Sequence, residues 1–182
     1  MLKVVEEAPP HATLAEDRFA VLFERFYAEL FGLVYRVLGD HMETEDVLQE
    51  SFLKLSDDAA LQARPQVEVG AWLRRVSLNL AFNRLRSARR SRARLDRVGR
   101  LERVDQEPIE IDVAVHQEEL AAVRRALAEV PERQRECLLL RHSGYSYAEI
   151  AATLEIAVGS VGVLLARAER AFRTQYRRQN ES

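Results

Sequence analysis

Cysteine occurs once in 182 residues, at Cys137, so the chain has no disulfide framework and fits a reducing compartment. Glycine (7) and proline (5) are scarce, and no glycine-rich loop of the kind that cradles phosphate is present. The histidines, His11, His41, His116 and His142, lie far apart without metal-ligand spacing, which argues against a metal centre and against an enzyme. Cys137 stands in an apolar helical stretch and reads as a small core residue. No apolar run is long enough to cross a bilayer, and the start, M-L-K-V-V-E-E-A-P-P-H, lacks a signal-peptide core. The expectation is a cytoplasmic protein with no membrane insertion, no cofactor and no catalytic residue.

What is present is charge, unevenly spread. With 47% hydrophobic and 31% charged residues the chain is globular, and its net charge is only −2. Residues 1–60 carry 5 basic and 13 acidic side chains, whereas residues 61–104 carry 12 basic and 3 acidic. Residues 105–136 return to acid, 4 against 9, and residues 137–182 hold 6 against 4. An acidic head beside a basic middle implies two surfaces for two kinds of partner, because local potential steers binding whatever the total.

The periodicity is helical throughout, and the expected fold is all-α. Residues 1–13 read as a flexible N-terminus, and residues 14–38 as a long helix with Phe19, Leu22, Phe23, Phe26, Leu30, Leu33, Val34, Val37 and Leu38 at three-and-four spacing. After the break at Gly39-Asp40-His41, a second helix is expected to open at Thr44, with Glu45 and Asp46 in its first turn. Residues 56–70 show no period and read as a long loop. From residue 70 to 94 a third helix buries two edges, Trp72, Leu73, Val76 and Leu80 on one side and Leu78, Phe82 and Leu85 on another. Its end is basic: residues 84–103 contain nine arginines and only two acids, a run that faces water or phosphate. Asn79 and Asn83, beside Trp72 and Phe82, supply amides and rings suited to unstacked bases.

Residues 95–116, acidic and proline-containing, read as a flexible linker to a second domain at 117–178. There Pro131 opens a helix, and Ser146 with Glu149 has capping-box spacing. A short helix, the turn L-E-I-A and a longer helix from about residue 158 follow, with Ala151 and Val161 ten residues apart around the turn. This is helix-turn-helix spacing.

Taken together, residues 19–176 resemble the bacterial RNA polymerase sigma factors of the extracytoplasmic-function (ECF) group, within the sigma-70 family. Glu45-Asp46-Val47-Leu48-Gln49-Glu50-Ser51-Phe52 resembles the polymerase-binding helix of that family, and Ala71-Trp72-Leu73 through Arg84-Leu85-Arg86 resembles the helix that meets the −10 promoter element. The stretch 127–141, with P-E-R-Q-R-E, and residues 146–168 resemble its −35-binding domain. The resemblance implies that Asp46, Gln49 and Glu50 grip core RNA polymerase. It implies that Arg64, Trp72, Asn79, Asn83, Arg84, Arg86, Arg89 and Arg90 serve the −10 element, with the 56–70 loop holding a flipped base. It places Ser160, Gly162, Val163 and Arg167 at the −35 element. On this reading residues 14–94 bind polymerase and the −10 element, residues 117–178 bind the −35 element, and an anti-sigma factor is a further type of partner.

The chain departs from that pattern where the family usually carries Lys or Arg, Ser and Arg and this sequence has Gly162, Val163 and Leu164. Weakened −35 binding is one reading of this change. Contacts to thymine methyls, or a face for a protein partner, are others. Glu155 replaces the usual glycine of the turn, at a cost of about 1 kcal/mol if its backbone is left-handed. A sigma-like adaptor, or a helix-turn-helix regulator that never meets polymerase, is the alternative to a working sigma factor.

Overall fold

The computed structural model describes residues 10–98 and 111–180, and the side chains of residues 18–88, 90, 91 and 118–179. Among the described residues every regular element is a helix. The order is α1 (Pro10–Leu38), α2 (His41–Ser56), α3 (Ala59–Gln62), α4 (Gln66–Val98), α5 (Ile111–Glu129), α6 (Glu132–His142), α7 (Tyr147–Leu154) and α8 (Val158–Asn180).

Helices α1, α2 and α4 pack on one another around Leu22, Phe26, Leu30, Val34, Leu48, Phe52, Leu73, Leu78 and Phe82, all buried. The aromatic side chains of α1 form a ladder at four-residue spacing, and Phe52 of α2 lies against it, with its ring centroid 4.7 Å from that of Phe23. Gly70 permits the close crossing of α4 over α1: a Cβ there would sit 2.8 Å from the Phe26 ring. Where α2 meets α4, Ser77 Oγ donates to Ser51 Oγ at 2.9 Å, and both side chains are fully buried.

Several boundaries differ from the sequence expectation. Gly39, with φ +71, ends α1, and Asp40 caps α2 by accepting the Glu43 N–H at 2.9 Å. Consequently α2 starts at His41 rather than Thr44, and Glu43 is the acid of its first turn instead of Glu45 and Asp46. The supposed loop at 56–70 is mostly helical. Asp58 caps α3, and the Pro65 carbonyl accepts the Glu68 and Val69 N–H groups to start α4. Gln62 then turns back, its Nε2 donating to the carbonyls of Leu55 and Ser56 at 3.0 and 3.1 Å, which satisfies the open end of α2. Helix α1 begins at Pro10, so residues 10–13 are not a free tail. Helix α4 extends to Val98 and α5 begins at Ile111, both inside the expected 95–116 linker; the rest of that linker, like residues 1–9, lies outside the described residues.

Helices α5 to α8 form the second unit around Ala126, Cys137, Leu140, Ile150, Leu154, Val161, Leu165 and Ala168. Ala151 and Val161, the pair expected at the helix-turn-helix crossing, are both buried. The two units touch: α4 packs on α7, and α1 meets α5.

Candidate polymerase and nucleic-acid interfaces

On α2 the apolar residues Val47, Leu48, Phe52 and Leu55 point into the core, which forces the intervening polar positions outward. Asp46 and Gln49 are exposed and Glu50 is half-buried, forming one stripe at i, i+3 and i+4. Exposed Met42 and Leu53 extend that stripe at its two ends. Glu50 pairs with Lys54 at 3.3 Å.

The basic half of α4 runs beside this stripe. Arg84 Nη1 donates to Glu43 Oε2 at 2.9 Å and to Asp46 Oδ2 at 3.3 Å, so one guanidinium joins the two candidate surfaces. Burial works against the Arg84 charge, but hydrogen bonds to Glu43 and Asp46 outweigh it and hold its pKa above the ordinary arginine value. Asn79, Asn83, Arg86 and Arg90 are exposed on the same helix, and Arg86 Nη2 donates to Asn83 Oδ1 at 2.6 Å. The Arg89 side chain lies outside the described residues. Trp72 is half-buried and lines a cavity of about 210 Å³ with Leu61, Arg64, Val67 and Arg75, closed on its far side by Ala152 and Glu155 of the second unit. Arg64 is exposed, and its carbonyl accepts from Arg18 Nη2 at 2.7 Å, which ties the α3–α4 corner to α1.

In the second unit the capping box is complete: Ser146 Oγ accepts the Glu149 N–H at 3.3 Å, and Glu149 Oε2 accepts the Ser146 N–H at 2.9 Å. Those bonds from Ser146 hold the Glu149 carboxyl below its ordinary pKa. Glu155 closes α7 in the left-handed region, φ 53 and ψ 51, and Ile156 N–H donates to Ala151 C=O at 3.0 Å, the six-to-one bond of a helix ended this way. Helix α8 turns Val161, Leu165, Ala168 and Phe172 inward, while Ser160, Val163, Ala166, Arg167 and Arg170 are exposed. Gly162 is half-buried, and a Cβ there would meet nothing closer than the Tyr147 ring at 3.9 Å. Cys137 is fully buried, and burial pushes its thiol up to about 11, which keeps it un-ionised.

Sequence reasoning missed a polar cluster where the two units meet. Tyr145 OH donates to Glu29 Oε1 at 2.8 Å, Arg74 Nε donates to the same oxygen at 3.0 Å, and the Arg74 guanidinium lies 4.6 Å from the Tyr145 ring centroid. Nearby, the Arg135 guanidinium stacks 3.6 Å from the Phe82 centroid. Burial raises the Tyr145 pKa, and hydrogen bonding to Glu29 adds to the rise. No local pattern marks these residues, since each belongs to an otherwise ordinary helix or turn.

Among the described residues no single helix is long and apolar enough to cross a membrane, and no group of three His, Cys, Asp or Glu side chains converges as a metal site would. An acid-striped helix beside a basic one, joined to a helix-turn-helix, is the architecture of a helical nucleic-acid-binding protein.

The comparisons with known proteins identify the class more closely. Residues 22–91 match the family model for sigma-70 region 2, and residues 120–172 match that for sigma-70 region 4. The ECF RNA polymerase sigma factor SigM of Mycobacterium tuberculosis is 32% identical over 160 residues, 86% of this chain and 77% of that protein. The RNA polymerase sigma-H factor of Pseudomonas aeruginosa is 30% identical over 166 residues, 85% of this chain and 83% of the relative. Among solved structures, CnrH in complex with the cytosolic domain of CnrY has the same fold, with a TM-score of 0.58 at 22% identity over 89% of this chain and 94% of that one. The chain belongs to the ECF family of RNA polymerase sigma factors. It is an alternative sigma factor, which binds core RNA polymerase and recognises promoter DNA to start transcription.

Proposed function

We propose a division of labour within this sigma factor. Residues 14–94 dock on core polymerase through the α2 stripe Asp46, Gln49 and Glu50, and residues 117–178 bind the −35 element through Ser160, Gly162, Val163 and Arg167 on α8. Carboxylates and an amide at one-turn spacing suit the arginines of a basic partner helix. Arg84, Arg86, Arg89 and Arg90 hold −10 phosphates, Asn79 and Asn83 face the opened strand, and the cavity beside Trp72 and Arg64 takes an unstacked base. The protein works in the cytoplasm without a cofactor and is not itself an enzyme. It promotes strand opening by exchanging stacking of about 1.4 kcal/mol per base step for contacts available only in the open state.

The observation that carries this reading is the exposed acid stripe lying directly beside the arginine-rich half of α4, joined to it at Arg84. An anti-sigma factor is a further partner. An apolar groove of about 780 Å³ between the end of α1 and helices α5, α6 and α8, lined by Tyr35, Leu120, Leu127, Leu138, Leu139 and Phe172, suits an amphipathic helix. In vitro transcription with purified core polymerase tests the whole reading. Promoter-dependent initiation, with a footprint covering both elements, is expected. Polymerase binding without initiation would instead make the chain an adaptor.

A further inference from the structure

The outward face of the helix-turn-helix is apolar where a base-reading surface ordinarily carries hydrogen-bonding groups. α7 and α8 meet at 90°, and their crossing buries Ala151, Val161, Leu165 and Ala168, which turns the opposite side of α8 outward. Between residues 157 and 166 that side presents Ala157, Val158, Gly159, Ser160, Val163 and Ala166, all exposed, and only Ser160 has a hydrogen-bonding side chain. Positive charge enters just beyond, at the exposed Arg167 and Arg170. Val158 and Val163 are 52% and 54% exposed, and Tyr147 at the start of α7 is 43% exposed. The Tyr147 ring continues the apolar surface: a Cβ at Gly162 would lie 3.9 Å from its Cε2, and the Arg141 guanidinium stands 5.6 Å from its centroid.

Such a face restricts what it can meet in a major groove. Base edges there are lined with donors and acceptors, and covering one with a valine removes its water without returning a hydrogen bond. Thymine alone among the four bases offers an apolar group, its C5 methyl, and burying that methyl against a valine or alanine is favourable. Residues 157–166 contain no Arg, Lys, Asn or Gln, so the bidentate pairings that select guanine or adenine are absent from this stretch. Arg167 and Arg170 are placed to neutralise phosphates, which adds affinity without sequence preference.

Resting on the assignment of α8 to the −35 element, we propose that this sigma factor selects its −35 elements by thymine methyl groups, with Val163 and Ala166 as the specificity-determining contacts. Val163 ranks first because of its neighbours. Gly159 and Gly162, four residues and one residue before it, have no side chain, and nothing lies within 4 Å of a Cβ placed at Gly159, so the Val163 methyls stand clear on the helix surface. Each thymine methyl covered in this way contributes about fourfold to binding. The −35 elements of this factor therefore carry thymines at the steps that face Val163 and Ala166.

The test removes methyl groups and leaves every hydrogen bond of the DNA in place. Holoenzyme assembled from the full chain and core polymerase selects duplexes from a pool randomised across the −35 and −10 regions, and the enriched −35 sequences are remade with deoxyuridine for thymidine at one position at a time. Enriched elements should contain thymine, and deoxyuridine should weaken binding about fourfold at the positions facing Val163 and Ala166. Val163→Ala, at an exposed position where the fold is not at risk, should lose that sensitivity at one position and keep it at the other. Arg167→Ala should weaken thymine and uracil duplexes alike, and Gly162→Lys with Val163→Ser, which gains a polar contact, should no longer tell them apart at the Val163 position. Enriched −35 elements that bind equally with thymine or uracil, or that carry no thymine, would overturn the methyl readout and leave the −35 assignment standing. Enrichment of a −10 sequence with none at −35 would strike the −35 assignment and the methyl readout together.

Discussion

Glu155 offers a quantitative check on the balance between backbone strain and side-chain contact. Its φ of 53 and ψ of 51 place a non-glycine residue in the left-handed region, which costs about 1–2 kcal/mol. Glycine removes that cost but brings a more flexible unfolded chain, a loss of about 0.5–1 kcal/mol. The Arg75 ion pair opposes the change; its side chains are 32% and 67% exposed, so it contributes at most about 1 kcal/mol. Glu155→Gln, which keeps the strain and removes the charge, is therefore expected to lose up to about 1 kcal/mol. Glu155→Gly is expected to exceed Glu155→Gln by about 0.5–1 kcal/mol, or about 2–4 °C in melting temperature per kcal/mol at this chain length. Urea unfolding followed by circular dichroism on the full chain measures both, and Arg75→Ala in the Gln background should then change little. If Glu155→Gly proves less stable than Glu155→Gln, the strain argument is wrong and the Glu155 side chain holds the turn by other means.

Three further outcomes follow from named contacts. Ser146→Ala should cost about 1 kcal/mol in urea unfolding through loss of the α7 cap. The depressed Glu149 pKa gives stability that is present above the ordinary glutamate value near 4.5 and lost as pH falls through the lower folded value, so this variant should also flatten the acid limb of the stability profile. Gly70→Ala should destabilise by about 1–3 kcal/mol in thermal melts, because the added Cβ meets the buried Phe26 ring at 2.8 Å. Gly162→Lys with Val163→Ser should tighten −35 binding by the full chain in holoenzyme about tenfold in a filter-binding assay, since the space around Gly162 is open and one good polar contact is worth about 1–3 kcal/mol; unchanged affinity would mean that this face does not meet DNA.

The fold was legible wherever burial imposed a period. The inward set Val161, Leu165, Ala168 and Phe172 of α8 follows directly from three-and-four spacing, and so do the two apolar edges of α4, of which Leu73, Leu78 and Phe82 are buried while Trp72, Val76, Leu80 and Leu85 are half-buried. The capping box at Ser146 could also be read locally, because both of its bonds span three residues. The α2 start at His41 was missed because Asp40 acts as the cap within what looks like a breaker. α3 was missed because four residues are too few to show a period. The interdomain cluster was out of reach for another reason: Glu29 and Tyr145 are 116 positions apart, and a contact at that separation leaves no mark on local composition. Among the candidate residues on α2 and α4, the structure exposes Asp46, Gln49, Asn79, Asn83, Arg86 and Arg90, whose polar character is legible locally, but the Arg84 link between the two helices depends on how they cross.

The most direct test of the account is core-polymerase binding by the full-length chain and by Asp46→Lys/Glu50→Lys, with circular dichroism confirming the fold of both. The wild-type chain should co-elute with core enzyme and direct initiation from a cognate promoter, and the charge-reversed chain should bind at least about a hundredfold more weakly. Equal binding by the two chains would contradict the assignment of α2 as the polymerase-docking helix.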